Sequence, residues 1–186
     1  MKKFHFLTLT IAAVGIVSFS LTDSRAAETN NPAARIGTYD SRAVAYAWFW
    51  SARHQKQLHE LMQSAREARA AADTNRFQKL DSELRQHQAE MHREVFSTAP
   101  AIEALAEVKD RLPQIEKTAG VATLLSQWDE QALKIYPGAE KVDVTDALVR
   151  EFITPTPQQQ KVLAEMKKVK PLPLDQCEEL IRKGKI

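Results

Sequence analysis

The sequence predicts an α+β fold, mainly α: a long antiparallel coiled-coil helical hairpin on a small β head, with extra helices at the C-terminus. Three observations predict it. Residues 38–99 contain no proline and no glycine, so nothing in that run breaks a helix. Apolar and small residues inside it recur at alternating steps of three and four, the spacing of a narrow helix–helix seam. Short β-prone segments frame the run on both sides.

The elements follow in order. Residues 1–26 read as a secretory signal peptide. Lys2 and Lys3 are basic, residues 6–19 are apolar, and Ser24-Arg25-Ala26 offers small residues before a cut at Ala27. An uncleaved anchor is the alternative, but the apolar stretch is short for a membrane span. The expected destination is the periplasm, with no stable membrane insertion after cleavage. Residues 27–34 are expected to form a polar, flexible leader.

Residues 35–39 (RIGTY) read as a strand, and Asp40-Ser41 as a helix N-cap. The arm is expected over 42–96. Its first helix, 42–72, carries the seam Ala47, Ser51, His54, Leu58, Leu61, Ala65, Ala68, Ala72. Asp73-Thr74-Asn75 supplies the turn, since such side chains bond their own backbone. The return helix carries Phe77, Leu80, Leu84, Gln88, Met91 and Val95. Some thirty residues per helix give an arm of roughly 45 Å.

After Pro100 a helix is expected over 101–118, bent at Pro113 and ended by Gly120. Residues 121–128 and 133–136 are strand candidates. Residues 141–145 lead into a helix over 146–152, and two short helices follow at 158–169 and 175–183. The domain reading is a head (35–41 and 101–153), the arm, and a C-terminal helical extension (154–186). Ile36, Tyr39, Leu124 and Leu125 are expected in the head.

Charge and composition narrow the function. The chain has a formal net charge of +2. The segment before Ala27 holds Lys2, Lys3 and Arg25 against Asp23, so without it basic and acidic residues are equal in number. Nucleic acid is therefore not expected as a partner. The one cysteine, Cys177, permits no intrachain disulfide and is expected half-buried in a terminal helix.

Beyond the leader the glycines are Gly37, Gly120, Gly138 and Gly184, too scattered for a phosphate-binding loop or dinucleotide fingerprint. No nucleophile elbow, HExxH, CxxC or calcium loop is present. No enzyme activity, catalytic residue, cofactor or metal ligand is expected.

Two clusters require a reading of their own. Beyond the leader the histidines are His54, His59, His87 and His92, all in the arm. A turn at 73–74 sets His54 opposite His92 and His59 opposite His87. Such pairs could take zinc or copper, or repel one another when protonated. Five residues within one helix rotate side chains about 140° apart, so the four cannot share a face. Polar residues flanking a seam are the plainer reading. The second cluster is Tyr46, Trp48, Phe49 and Trp50. Neighbouring positions spread around a helix, so these aromatics are expected to pack into the head or a neighbouring subunit, with an exposed sticky ring as the alternative.

RIGTYDSRAV (35–44) and EKVDVTDALVREF (140–152), with the hairpin between them, resemble the Skp/OmpH family of periplasmic chaperones. The second segment looks like that family's closing strand-to-helix unit, with Asp143-Val144-Thr145 at its centre. The resemblance covers about 35–152. It implies a homotrimer whose heads share a β barrel and whose hairpins hang as tentacles. It also implies an ATP-independent holdase for unfolded outer-membrane or secreted proteins. Two other readings stand beside it. Thr156-Pro157-Gln158-Gln159 faintly resembles the LTxxQ element of Spy/CpxP-type proteins, which suggests a metal-responsive (zinc or copper) periplasmic helical protein. An envelope scaffold that binds one fixed partner is the other.

Overall fold

The computed structural model describes residues 35–186. The expected signal peptide and leader lie outside the described residues. The fold is mainly helical with one small parallel sheet. Its elements are β1 (Arg35–Tyr39), α1 (Ser41–Phe49), α2 (Ala52–Ala70), α3 (Thr74–Phe96), α4 (Ile102–Glu107), α5 (Leu112–Ala119), β2 (Leu124–Ser126), α6 (Glu130–Lys134), β3 (Glu140–Asp143), α7 (Thr145–Arg150), α8 (Pro157–Lys168) and α9 (Leu174–Arg182).

β1 is the centre of the sheet, with β2 on one side and β3 on the other, both parallel to it. Gly37 faces Leu124 on one side and Val142 on the other. A Cβ at Gly37 would lie 2.6 Å from Leu124 Cδ2 and 3.2 Å from Val121 Cγ2, so glycine lets the connection into β2 run close. Among the described residues nothing pairs with the outer edges of β2 and β3.

α1 is buried along its whole length. One side packs with Tyr39, Ile115, Val144 and Leu148, and the other, through Ala43 and Ala47, meets Val149, Leu163 and Met166. A helix surrounded in this way has no polar face to present. That is why adjacent aromatics are tolerated: Tyr46, Trp48 and Phe49 are buried in the head, while Trp50 is 52% exposed. Ile36 and Tyr39 are buried as expected, with Leu124 and Leu125 half-buried in β2.

Several expectations need correction. The helix expected over 42–72 is two helices. It breaks at Trp50-Ser51, where the Ser51 side chain accepts from the His54 amide and caps α2 (3.2 Å). Ser51 is thus a cap and not a seam residue, because its hydroxyl competes with helix continuation. The turn lies at 71–73, not 73–75. Ala72 adopts the left-handed conformation (φ 55°), and Asp73 caps α3 by accepting from the Arg76 amide. Residues 101–118 are again two helices, with Pro113 in the first turn of α5, where its missing amide costs nothing, and no bend at that point. Gly120 ends α5 at φ 64°, as expected. Residues 133–136 are not a strand: Asp129 accepts from the Ala132 amide and starts α6. The strand expected over 121–128 shortens to β2.

α8 and α9 match the two expected C-terminal helices. Thr156 and Gln159 form a reciprocal capping box at the start of α8. The Thr-x-x-Gln spacing therefore has a local role, satisfying helix-end amides. The extension lies against the rest of the fold. The Leu172 amide donates to the Phe96 carbonyl, and the Thr98 amide to the Leu172 carbonyl (both 2.9 Å). Cys177, expected half-buried, is completely buried, because α9 packs on α3 and points the thiol at the His92 carbonyl (3.7 Å).

Candidate functional site

α2 and α3 pack side by side, and their contact surface is the candidate site. The residues buried in the two helices are His54, Ala65, Ala68 and Glu94. Ala65 and Ala68 are small, so the backbones approach closely there. The larger seam residues Leu58, Leu61, Phe77, Leu80, Leu84 and Met91 are only half-buried, and Met62 is 39% exposed. Gln88, assigned to the seam, is exposed, and Ala72 is exposed too. The outer faces carry mixed charge, with i,i+4 pairs such as Lys56–Glu60, Lys79–Glu83 and Asp81–Arg85. Surface pairs of this kind add little stability. Chemically the α2–α3 surface offers a half-buried apolar stripe between outer faces of mixed charge.

At the start of α2 a buried histidine meets α1 and α3. His54 is 5% exposed. Its ring lies against Phe49 (centroids 4.9 Å), Trp48 (5.3 Å) and His87 (5.8 Å). Among the described residues neither ring nitrogen, nor Trp48 Nε1, has a hydrogen-bond partner. Burial, and then the like charge of His87, hold the His54 pKa below its ordinary value. The pairs expected from sequence, His54–His92 and His59–His87, do not form. The turn falls earlier than expected, and each residue of turn shift moves the facing partner by two. His59 is exposed, and His92 lies against Phe96 (5.6 Å). Among the described residues no group of three or more His, Cys, Asp or Glu side chains could hold a metal ion.

Two features escaped sequence reasoning. One is Glu94, 3% exposed, with Oε2 unpartnered. Burial, then Glu90 and Glu103, push its pKa up to about 7 against a weaker pull from Arg93. It sits one turn past Met91 in a charged stretch, and nothing local distinguishes it from its solvated neighbours.

The other is a polar hub around Asp40, which was recognised only as a cap. Asp40 Oδ1 accepts from the Arg42 amide (3.1 Å), Arg42 Nε (3.1 Å) and Trp128 Nε1 (2.9 Å), and Oδ2 from Arg42 Nη2 (2.8 Å). The Asp40 amide donates to Thr145 Oγ1 (3.0 Å), whose own amide donates to Asp143 Oδ1 (2.9 Å). The Arg42 guanidinium lies over the Trp128 ring (4.9 Å) and also donates to the Val169 and Met166 carbonyls (2.8 and 2.9 Å). Residues 35–44 and 140–152 thus meet at one buried point. The carboxylate is filled by donors, so the hub holds strand, helix and extension together.

Among the described residues no helix is long and apolar enough to cross a membrane. No family model, curated protein or solved structure matches the chain.

Proposed function

We propose that this protein is an ATP-independent holdase of the Skp/OmpH type, holding unfolded outer-membrane or secreted proteins in the periplasm. In this reading α2 and α3 act as an antiparallel coiled-coil tentacle, and three copies enclose the client. The observation that carries the reading is the half-open seam. Six large apolar side chains lie along the arm without being sealed away. A stripe of that kind gives many weak contacts, enough to retain an unfolded chain and few enough to release it. The unpaired edges of β2 and β3 support assembly through the head, since exposed edges invite pairing with another chain. The charged outer faces keep the tentacles soluble while empty.

The test is the residue range 27–186 in two assays. Light scattering after gel filtration is expected to give three times the chain mass. Dilution of a urea-unfolded outer-membrane barrel protein into the trimer, without nucleotide, is expected to leave it soluble. Replacing Leu61 and Leu84 together by Asp is expected to cost the arm about 2–4 kcal/mol, reduce helicity and abolish protection. A monomer that leaves the client to aggregate would remove the holdase reading.

A further inference from the structure

A groove of about 630 Å³ lies between the end of α3, α8 and residues 169–172 and 186. Its walls include Val95, Phe96, Val162, Met166, Val169 and Leu172. Phe96 is 47% exposed, Val169 63% and Ile186 36%, so three of the seven exposed large apolar side chains among the described residues gather at this one place. Scattered apolar residues need no explanation, whereas a cluster indicates a ligand. The Met166 and Val169 carbonyls accept from Arg42.

The rim has a definite charge. Lys161 and Lys170 line the groove, and neither makes an ion pair among the described residues. Glu165, the acidic side chain that lines the groove, is held by Lys168 at 2.7 Å. Arg42 is spent on Asp40 and the two carbonyls. Two uncommitted cations therefore stand over an apolar trough of the size usual for small-molecule sites. Lysine stems lie readily along apolar surface while the ammonium stays at the water boundary.

We propose that this groove binds a single-chain anionic amphiphile, a long-chain carboxylate, with its acyl chain along Phe96, Met166 and Val169 and its head group at Lys161 and Lys170. The site is separate from the α2–α3 seam and does not depend on the holdase reading.

The test is calorimetric titration of the range 27–186 with palmitate, and with a cationic amphiphile of equal chain length. Saturable binding of one palmitate per chain is expected, with the cationic compound at least tenfold weaker. Reversing both lysines (K161E with K170E) is expected to weaken palmitate about tenfold, since rim ion pairs are individually modest. Val169→Asp, on an exposed position, is expected to abolish binding with an unchanged melting curve. No saturable palmitate binding would overturn the proposal. So would equal binding of the cationic compound, or palmitate affinity indifferent to the lysine reversals. Client protection, measured on the K161E/K170E variant, is expected to be unchanged, so the two proposals fail separately.

Discussion

Asp40→Ala is expected to lower the stability of the head by about 3–5 kcal/mol, the cost of leaving a buried charge without its partner. Arg42 is 3% exposed, so after the substitution its guanidinium would stay in the interior with only two carbonyls and the Trp128 face for company. Trp128 Nε1 would lose its acceptor, and α1 its N-cap. Domains of this size hold only about 5–15 kcal/mol in reserve, so the loss is a large fraction of the whole. Urea unfolding followed by circular dichroism checks it. Asp40→Asn, which keeps an acceptor but not the charge, is expected to fall between the wild type and Asp40→Ala. A midpoint equivalent to less than about 1 kcal/mol of change for Asp40→Ala would mean that Arg42 escapes to water and the hub is not what joins the head to the extension.

Glu94→Gln is expected to stabilise the fold at alkaline pH and do almost nothing in acid. The folded-state pKa of Glu94, about 7, lies above its ordinary 4.5, so the folded state keeps a proton that the unfolded chain has already lost. Its contribution is complete below about 4.5 and drains away as pH rises through about 7. Near pH 8.5 the ionised carboxylate costs the fold about 2–3 kcal/mol, which glutamine would restore. His54 runs the other way. Its folded pKa is lowered, so its contribution is complete above the ordinary 6.5 and is lost as pH falls below that value. Thermal melts of wild type and Glu94→Gln between pH 4 and pH 9 separate the two. The curves are expected to coincide at the acid end, to diverge between about pH 4.5 and about pH 7, and to hold a constant gap above that. Parallel curves would show that Glu94 reaches water or a partner in the folded state.

What the sequence could disclose depended on how local the cause was. β1, the Asp40 cap, α9 and the Gly120 terminator follow from residues adjacent to the feature, and all were legible. α6 was missed although Asp129 marks its start, because the apolar residues after it were read as strand. The break at Ser51 was also local, but the heptad-like spacing continued across it and concealed the cap. The histidine pairing failed for a geometric reason, since a small error in the turn doubles across an antiparallel pair. The hub was out of reach: Arg42, Trp128, Thr145 and the carbonyls of 166 and 169 are far apart in sequence, and nothing near any of them advertises the others. The same holds for the groove, whose lysines look like ordinary solvated charge until α8 is folded back onto α3.

The central position of β1 sets the order in which the chain can assemble. Its partners lie at 124–126 and 140–143, and Arg42 waits for carbonyls more than a hundred residues downstream. α2 and α3, by contrast, need only a short loop closure, which takes well under a microsecond for loops of this length. Non-local parallel pairing is slow because loop entropy must be surrendered before any contact rewards it. α2 and α3 are therefore expected to condense early, with β1 and the aromatic helix behind it exposed until the last quarter of the chain arrives. For that interval this protein carries the very kind of sticky, unpaired segment that it is proposed to guard in others.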